Sequence, residues 1–224
     1  MKPSIVVFDV NETLSDMSPM GQRFVDVGAP VHVAKLWFAT LLRDGFALTA
    51  AGDNGSCAGI GAEVLRGVFA GMELSRDLEA AVEHVMAGFS SLGLHPDVTD
   101  GVKALHAAGY RLATLTNGSM QLAEKLFTDA GIRDRFELLL SVEDAPVWKP
   151  GRQSYDYAAS VCGARPDEML LVAMHPWDIH GASRAGLATA WINRTGGPYP
   201  DYFQAPDHTL SSLTELAPAL TGGR

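Results

Sequence analysis

The sequence predicts an α/β fold, a doubly wound parallel sheet with a helical insertion after its first strand. The main observation is a series of short apolar segments separated by helix-length stretches, the alternation typical of a parallel sheet. The predicted strands are Ser4–Phe8, Arg111–Leu115, Phe136–Leu140, Met169–Ala173 and Ala188–Ile192. A second observation is a glycine just after each helix between the later strands, and a third is the absence of any clear strand between residues 15 and 95.

Glycine favours the left-handed backbone in which many helices end. The helices predicted between the later strands are Val98–Ala108, Ser119–Ala130, Ser154–Val161 and Asp178–Ala185, and the glycines that follow them are Gly109, Gly131, Gly163 and Gly186. The final eighteen or so residues are predicted to form a weak peripheral helix.

The insertion has helical periodicity. Its predicted helices are Gln22–Val27, Val31–Leu48, Glu63–Phe69 and Leu78–Phe89. The glycine-rich stretch from Ala51 to Gly61 is predicted to be a connection between two of them, because glycine weakens a helix interior. We therefore expect an α/β core domain of residues 1–14 and 96–224 and a helical domain of residues 15–95.

Composition narrows the function. The 224 residues carry a formal net charge of -9 and no basic run, which argues against a nucleic-acid partner. No window approaches the roughly 18 uninterrupted apolar residues of a membrane helix, so we expect a cytoplasmic protein that binds no membrane. Cys57 and Cys162 lack metal-ligand spacing and are predicted to be packing residues, and the histidines form no metal-binding pair, so no metal site is predicted.

Polar residues follow the predicted strands. Asp9 comes directly after the first strand, where ligands bind in open α/β sheets, although it could simply cap a turn. Thr116-Asn117-Gly118 ends the second strand, Lys149 lies in the next loop and Asp178 follows the fourth strand. Because the carboxyl ends of parallel strands share one edge of the sheet, these residues form one candidate site.

This ordered set, on an α/β core with a helical insertion after the first strand, resembles the haloacid dehalogenase superfamily over the whole chain. The insertion then corresponds to that family's helical cap domain. Phosphatases of the family carry a second Asp two residues after the nucleophile and a Gly-Asp before the final Asp; this chain has Asn11 and Ala173-Met174 there. A halide leaves without a proton, so these losses favour dehalogenation over phosphoryl transfer.

The more specific resemblance is to the 2-haloacid dehalogenases. It rests on Leu36-Trp37, Thr116-Asn117-Gly118-Ser119, Lys149-Pro150, Tyr155, Trp177-Asp178 and the run from Trp191 to Gly196. The resemblance implies a cofactor-free and metal-independent hydrolase of small 2-haloalkanoic acids, and specifically an (S)-2-haloacid dehalogenase. Members of this branch are commonly dimers, so a homodimer is one expectation.

The implied mechanism begins with attack by Asp9 on the halogen-bearing carbon, and water then hydrolyses the aspartyl ester. Lys149 would keep Asp9 ionised, and Asp178 would hold Lys149 and orient the water. Thr13, Thr116 and Asn117, with Gly118 beside them, would orient Asp9 and receive the substrate carboxylate.

Three positions depart from the branch. Phe38 stands where an arginine receives the halide, and Arg43 on the same helix either replaces that arginine or is an exposed surface residue. His175 stands where Asn is usual, and it either activates water or donates to the substrate, or else replaces the amide as a neutral hydrogen-bonding group. Ala173 stands where Ser is usual.

Tyr155 either lines the substrate pocket or packs its ring on the sheet. Trp37, Phe38 and Trp177 either form an apolar pocket around the substrate carbon or seal the interface between the insertion and the core. Two alternatives to a dehalogenase stay open at this point. One is a hydrolase or phosphatase of the same superfamily with another small substrate, and the other is a catalytically silent binding protein. Retention of Asp9, Thr13, Lys149 and Asp178 argues against the silent protein, because a buried charged cluster costs stability.

Overall fold

A parallel sheet organises the core of the protein, seen here in a computed structural model that describes residues 3–222. Within that range the strands are β1 (Ile5–Phe8), β2 (Arg111–Thr116), β3 (Leu138–Ser141), β4 (Met169–Ala173), β5 (Ala188–Ile192) and β6 (His208–Leu210). Their order across the sheet is β3-β2-β1-β4-β5-β6, and all neighbours are parallel. The predicted doubly wound fold is confirmed, and β1 lies where the strand order changes direction.

The helices follow the predicted segments closely. They are α1 (Met20–Val25), α2 (Val33–Ala51), α3 (Cys57–Phe69), α4 (Leu78–Phe89), α5 (Val98–Ala107), α6 (Met120–Asp129), α7 (Arg152–Cys162), α8 (Pro176–Ala185) and α9 (Leu216–Thr221). The four glycines predicted to follow helices all have positive φ angles, between 59° and 97°. Both cysteines are buried and free, as expected of packing residues. None of the described helices is long and apolar enough to cross a membrane.

Strand β6 was not predicted. It has three residues, His208, Thr209 and Leu210, of which only the last is buried. A short edge strand needs no apolar run, because one of its sides and much of its surface face solvent. Its sequence therefore carries little strand signal, and only the closing 3-10 turn and α9 match the predicted terminal helix.

The prediction that residues 51–61 form one connection was partly wrong. The connection is shorter, because α2 continues to Ala51 and α3 already begins at Cys57. Gly61 is helical, and a β-carbon there would lie 3.1 Å from a methyl group of Leu41 in α2. The Gly61 carbonyl also accepts a 2.9 Å hydrogen bond from the Trp37 indole. Close packing of α2 on α3 thus outweighs the low helix propensity of glycine.

The helical insertion leaves and rejoins the core at one place. Ser15 and Leu94 form an isolated antiparallel bridge, and flanking backbone bonds join Asp16 to Gly93 and His95 to Leu14. Helices α1 to α4 lie between these two crossing segments and pack on one another. The division into domains at residues 14/15 and 95/96 stays a prediction.

Trp148 ties the loop after β3 to the insertion. Its buried indole donates a 2.9 Å hydrogen bond to the Gly55 carbonyl, and its backbone N–H donates to the Thr49 hydroxyl at 3.0 Å. The ring packs so closely on α2 that a β-carbon at Gly45 would lie 2.4 Å from it. The loop that carries Lys149 is thereby held against the insertion.

We expect Gly45→Ala to destabilise the protein by about 1–3 kcal/mol, because the added methyl group would overlap the Trp148 ring. Gly67→Ala in α3 is the matched control, since a β-carbon there meets nothing within 4 Å. It should stabilise by about 0.5–1 kcal/mol through helix propensity. Urea unfolding of both variants measures the difference, and equal stability of the two would contradict the packing described.

Candidate active site

Four strand ends bring polar side chains to one edge of the sheet. Asp9 directly follows β1, Thr116 is the last residue of β2, Lys149 lies in the loop after β3, and Asp178 lies in the first turn of α8 after β4. All four side chains are buried, with at most 3% exposure. The sequence-based grouping of these residues therefore matches their positions in space.

The Lys149 ammonium lies between two carboxylates. Its Nζ is 2.9 Å from Oδ1 of Asp9 and 2.6 Å from Oδ2 of Asp178, and the lysine is fully buried. Burial alone would lower the pKa of Lys149, but the two carboxylates outweigh it and the net pKa is raised. Lys149 is therefore a permanent cation at neutral pH.

The same contacts divide the two aspartates. Burial alone would raise the pKa of Asp9, but Lys149 and His175 outweigh burial and the net pKa is lowered. The pKa of Asp178 is raised, because burial dominates and the charge of Asp9 adds to it, against the opposing effect of Lys149. Asp9 is thus held ionised, the state that a carboxylate nucleophile needs.

Thr13 fixes the second oxygen of Asp9. Its hydroxyl donates to Asp9 Oδ2 at 2.6 Å and accepts from the Met174 backbone N–H at 3.0 Å. The Thr13 carbonyl accepts from Nε and Nη2 of Arg194, whose Nη1 donates to both carboxylate oxygens of Asp97. Arg194, from the Trp-Ile-Asn-Arg-Thr-Gly run, therefore anchors the loop that carries Thr13, a role that the sequence did not indicate.

Asn117 forms two hydrogen bonds with the backbone of Lys149. Its carbonyl oxygen accepts from the Lys149 backbone N–H at 3.0 Å, and its amide donates to the Lys149 carbonyl at 3.1 Å. The Thr116 hydroxyl accepts from the backbone N–H of Gly118 at 2.9 Å. These contacts position Lys149 and shape the turn after β2, so substrate binding by Thr116, Asn117 and Gly118 stays a prediction.

Tyr155 completes the support of Asp178. Its hydroxyl donates to Asp178 Oδ1 at 2.6 Å, opposite the oxygen that meets Lys149. The ring is fully buried beneath the site. Tyr155 therefore supports Asp178 rather than lining an open pocket. Neither of the two alternatives drawn from the sequence included this contact.

His175 links Asp9 to Glu12, a residue that sequence reasoning did not select. The imidazole Nδ1 is 3.1 Å from Asp9 Oδ2, and Nε2 is 2.9 Å from Glu12 Oε2. Glu12 is the one non-glycine residue with positive φ, 61°, in the described part of the chain. A residue held in this costly conformation is often kept for a site. The signal in the sequence that could have pointed to Glu12 was its position as an acidic residue three residues after Asp9.

The two carboxylate partners favour a doubly protonated His175, since each ring nitrogen then donates. Burial lowers its pKa, but hydrogen bonds and charge from Asp9 and Glu12 outweigh that effect and raise the pKa to about 9. At neutral pH the ring is an imidazolium. This geometry speaks against the neutral replacement for an amide that the sequence left open.

A cleft of about 580 Å³ separates α2 from the core beside these residues. Glu12 and Met174 border it on the core side, and Phe38 borders it from α2 while its ring also packs near Trp37 and Phe89. Arg43 lines a different groove, between α2 and α3, and pairs with Asp44. The sequence left two alternatives for Arg43, a replacement for the missing arginine or an exposed surface residue. In this structure Arg43 is an exposed surface residue.

Trp177 connects the site to the insertion. Its ring stacks on His175 with centroids 4.9 Å apart and meets the edge of Phe46 in α2 at 5.0 Å. It therefore packs both against the imidazole and between the insertion and the core. The two roles considered from the sequence, a pocket wall and a seal between the two parts of the chain, are compatible.

Comparison with known proteins places the chain in a family. A family model described as haloacid dehalogenase-like hydrolase matches residues 3–186. The chain belongs to the haloacid dehalogenase-like hydrolase family.

Within that family, two (S)-2-haloacid dehalogenases are similar to this chain. The one from Pseudomonas sp. strain YL is 36% identical over 141 residues, which cover 62% of this chain and 61% of that protein. The one from Pseudomonas putida is 28% identical over 95% of this chain and 94% of that protein. The chain thus spans about three fifths of the first of these relatives, and nearly all of the second.

A solved structure agrees with the fold. A crystal structure described as a dehalogenase with an intermediate complex has a TM-score of 0.89 and 26% identity, and covers 97% of both chains. The resemblance to the 2-haloacid dehalogenase branch, inferred from the motifs, is confirmed.

The His175 charge predicts how the stability of this haloacid dehalogenase-like protein depends on pH. A histidine whose folded pKa is raised contributes stability that is fully present below its unfolded pKa and is lost as pH rises through its folded pKa, about 9. The free-energy difference between native protein and His175→Gln should be on the order of 3 kcal/mol near pH 6 and shrink by pH 10.

Urea unfolding across this pH range measures the effect, with the exposed His106→Gln as control. A difference for His175→Gln that stays constant or grows between pH 6 and pH 10 would contradict an imidazolium at this position.

Proposed function

We propose that this protein hydrolyses the carbon–halogen bond of small 2-haloalkanoic acids, as an (S)-2-haloacid dehalogenase, without a metal or cofactor. The observation that carries the proposal is the buried Asp9 carboxylate, held ionised between Lys149, Thr13 and His175 at the end of β1. Similarity to proteins with that activity supports the substrate class.

In the first step, an oxygen of Asp9 attacks the carbon that bears the halogen. The new carbon–oxygen bond forms as the carbon–halogen bond breaks, and the halide leaves with the bonding electrons and needs no proton. Lys149 favours this step by keeping Asp9 charged before attack. The configuration at the carbon inverts, and the product of the step is an ester of Asp9.

In the second step, water attacks the carbonyl carbon of that ester. Formation of the ester removes the negative charge of Asp9, which is one of the two partners that stabilise the His175 cation. His175 can then give its proton to solvent and accept one from the attacking water, while Glu12 holds Nε2 and orients the ring. As the ester bond breaks, the ring passes that proton to the oxygen of the departing 2-hydroxy acid. The carboxylic acid formed at Asp9 then returns its proton to His175, which restores the Asp9 carboxylate and the imidazolium.

Lys149 and Asp178 take supporting roles in this scheme. The ammonium beside Oδ1 of Asp9 stabilises the oxyanion that forms when water adds to the ester. Asp178, held by Tyr155, keeps that ammonium in place and orients water. Thr13 holds the other ester oxygen.

The surroundings of the reacting carbon come from both parts of the chain. We propose residues 15–95 as a cap domain over the core of residues 1–14 and 96–224. Phe38 and Trp177 would form the apolar walls, and Thr116 and Gly118 would face the substrate from the β2 turn. A homodimer is also proposed, from the resemblance to a commonly dimeric branch; analytical ultracentrifugation tests it.

Halide release is the first test of this function. The native protein should release chloride from chloroacetate and (S)-2-chloropropionate equally with and without EDTA, and Asp9→Asn should reduce release by at least about 10³-fold because the nucleophile is lost. Thr209→Ala, a substitution in the distant edge strand β6, controls for the effect of preparing and purifying a variant protein.

Two outcomes would contradict the proposal. One is no release above that of Asp9→Asn, and the other is EDTA-sensitive cleavage of a generic phosphoester in place of dehalogenation. The second outcome would assign the protein to the phosphatases of its family.

The role of His175 predicts which step fails without it. In His175→Ala the ester of Asp9 should accumulate, because the first step needs no base and the second lacks one, and hydrolysis should slow by about 10²-fold or more. Rapid quenching and peptide mass spectrometry detect the ester on Asp9. Added imidazole should restore part of the rate by occupying the space that the side chain leaves.

Glu12→Gln, which keeps a hydrogen-bonding partner for Nε2, should slow the same step less. If His175→Ala lowers the rate with no ester accumulating, the histidine acts before ester formation and the assigned role is wrong.

A further inference from the structure

Hydrolysis of the Asp9 ester requires one particular neutral form of His175. Nδ1 of the ring faces Asp9, 3.1 Å from Oδ2, whereas Nε2 faces Glu12 at 2.9 Å. To accept a proton from water beside the ester, the ring must have lost the proton on Nδ1 and kept the proton on Nε2. The opposite tautomer, with its proton on Nδ1, donates toward the ester and has no lone pair there to act as a base.

Glu12 is placed to select between these two tautomers. An ester of Asp9 is uncharged and offers the Nδ1–H group a neutral acceptor, whereas Glu12 offers the Nε2–H group a carboxylate. Hydrogen bonds to an ionised acceptor are roughly twice as strong as those between neutral groups. The proton on Nε2 is therefore the one that the neutral ring keeps.

The backbone of Glu12 is held in the conformation that brings its side chain to the ring. Its φ of 61° is costly for a residue with a side chain, and such a conformation persists where surrounding contacts hold it. Its N–H donates to Ser15 Oγ at 3.3 Å, and its carbonyl accepts from His95 Nε2 at 3.0 Å. His95 lies where the insertion rejoins the core, so both crossing segments fix this turn.

Other charged groups lie near Glu12 without contacting the His175 ring. The residues that share its cleft are Asp16, Lys35, His95 and Arg194. None of these four forms a hydrogen bond or ion pair with the ring within residues 3–222. Trp177, which stacks on the imidazole, is uncharged. In this part of the chain, Glu12 is thus the charged partner of Nε2.

We propose that Glu12 is the positioning residue that keeps the proton on Nε2 of neutral His175 and so makes Nδ1 the base that activates water. The inference rests on the proposed function and deepens it by giving the two ring nitrogens separate tasks. Nδ1 gives a proton to solvent, takes one from water, passes it to the departing oxygen and regains one from Asp9. Each turnover thus releases one proton, and the Nε2–H bond to Glu12 stays intact.

Nitrogen-15 NMR of Asp9→Ala tests the tautomer without turnover, because alanine removes the charge that ester formation neutralises and leaves Nδ1 facing water. The His175 signals are identified by their loss when His175→Gln is added. At a pH where the ring is neutral, the form with its proton on Nε2 should exceed the other about tenfold.

Two further substitutions in the Asp9→Ala protein show whether Glu12 sets this ratio. Glu12→Gln should bring the ratio to about one, because a neutral amide either accepts from Nε2–H or donates to Nε2. Asp16→Asn is the matched control, since it removes an acid from the same cleft that does not touch the ring, and the ratio should stay unchanged.

Single-turnover kinetics with Asp9 intact give a second readout. Glu12→Gln should slow hydrolysis of the Asp9 ester about tenfold, while ester formation changes much less. Asp16→Asn should leave both rates within about twofold of native values.

A neutral ring with its proton on Nδ1 in Asp9→Ala, or a ratio that Glu12→Gln does not change, would overturn the proposal. Equal ester hydrolysis in the native protein and Glu12→Gln would also overturn it, and would leave the proposed function standing. A protein that releases no halide but shows the Glu12-dependent ratio would contradict the proposed function and leave the proton assignment intact.

Discussion

The buried ammonium of Lys149 is the interaction on which the site depends. Moving a lysine charge out of water costs several kcal/mol, and here two carboxylates at 2.9 and 2.6 Å offset that cost. Lys149 in turn favours the charged form of both Asp9 and Asp178 against the effect of burial. The three residues come from separate strand ends, so the parallel sheet is what brings them together.

Most of the surrounding contacts hold this lysine in position. Asn117 fixes the backbone of Lys149 through two hydrogen bonds, and Tyr155 fixes Asp178. Trp148, next to the lysine in sequence, packs on α2 and bonds to the following loop. The insertion therefore supports the loop that supplies the cation.

His175 gives the site a second cation whose charge depends on the state of Asp9. While Asp9 is a carboxylate, the imidazole lies between two acids and remains protonated. In the proposed mechanism that stabilisation falls once Asp9 becomes an ester, and the ring can then act as a base. The proposal thus gives one side chain two tasks, to support the nucleophile in the first step and to activate water in the second, with Glu12 as its fixed partner.

The sequence predicted the sheet, the helices after each strand and the main catalytic candidates, because buried strands and helix-ending glycines leave strong local patterns. It did not indicate Glu12 or the task of Asn117, since both depend on contacts between residues far apart in the chain. Strand β6 was missed because an exposed three-residue edge carries no apolar pattern. Gly61 was misassigned because the packing of α2 on α3 decides its conformation.

The most direct test of covalent catalysis at Asp9 is a single turnover of (S)-2-chloropropionate in heavy-oxygen water, with enzyme in excess. If Asp9 is the nucleophile, the lactate formed takes its new oxygen from the carboxylate and stays unlabelled, while the heavy oxygen appears in the Asp9 peptide. Labelled lactate with an unlabelled Asp9 peptide would show direct attack by water and contradict the account.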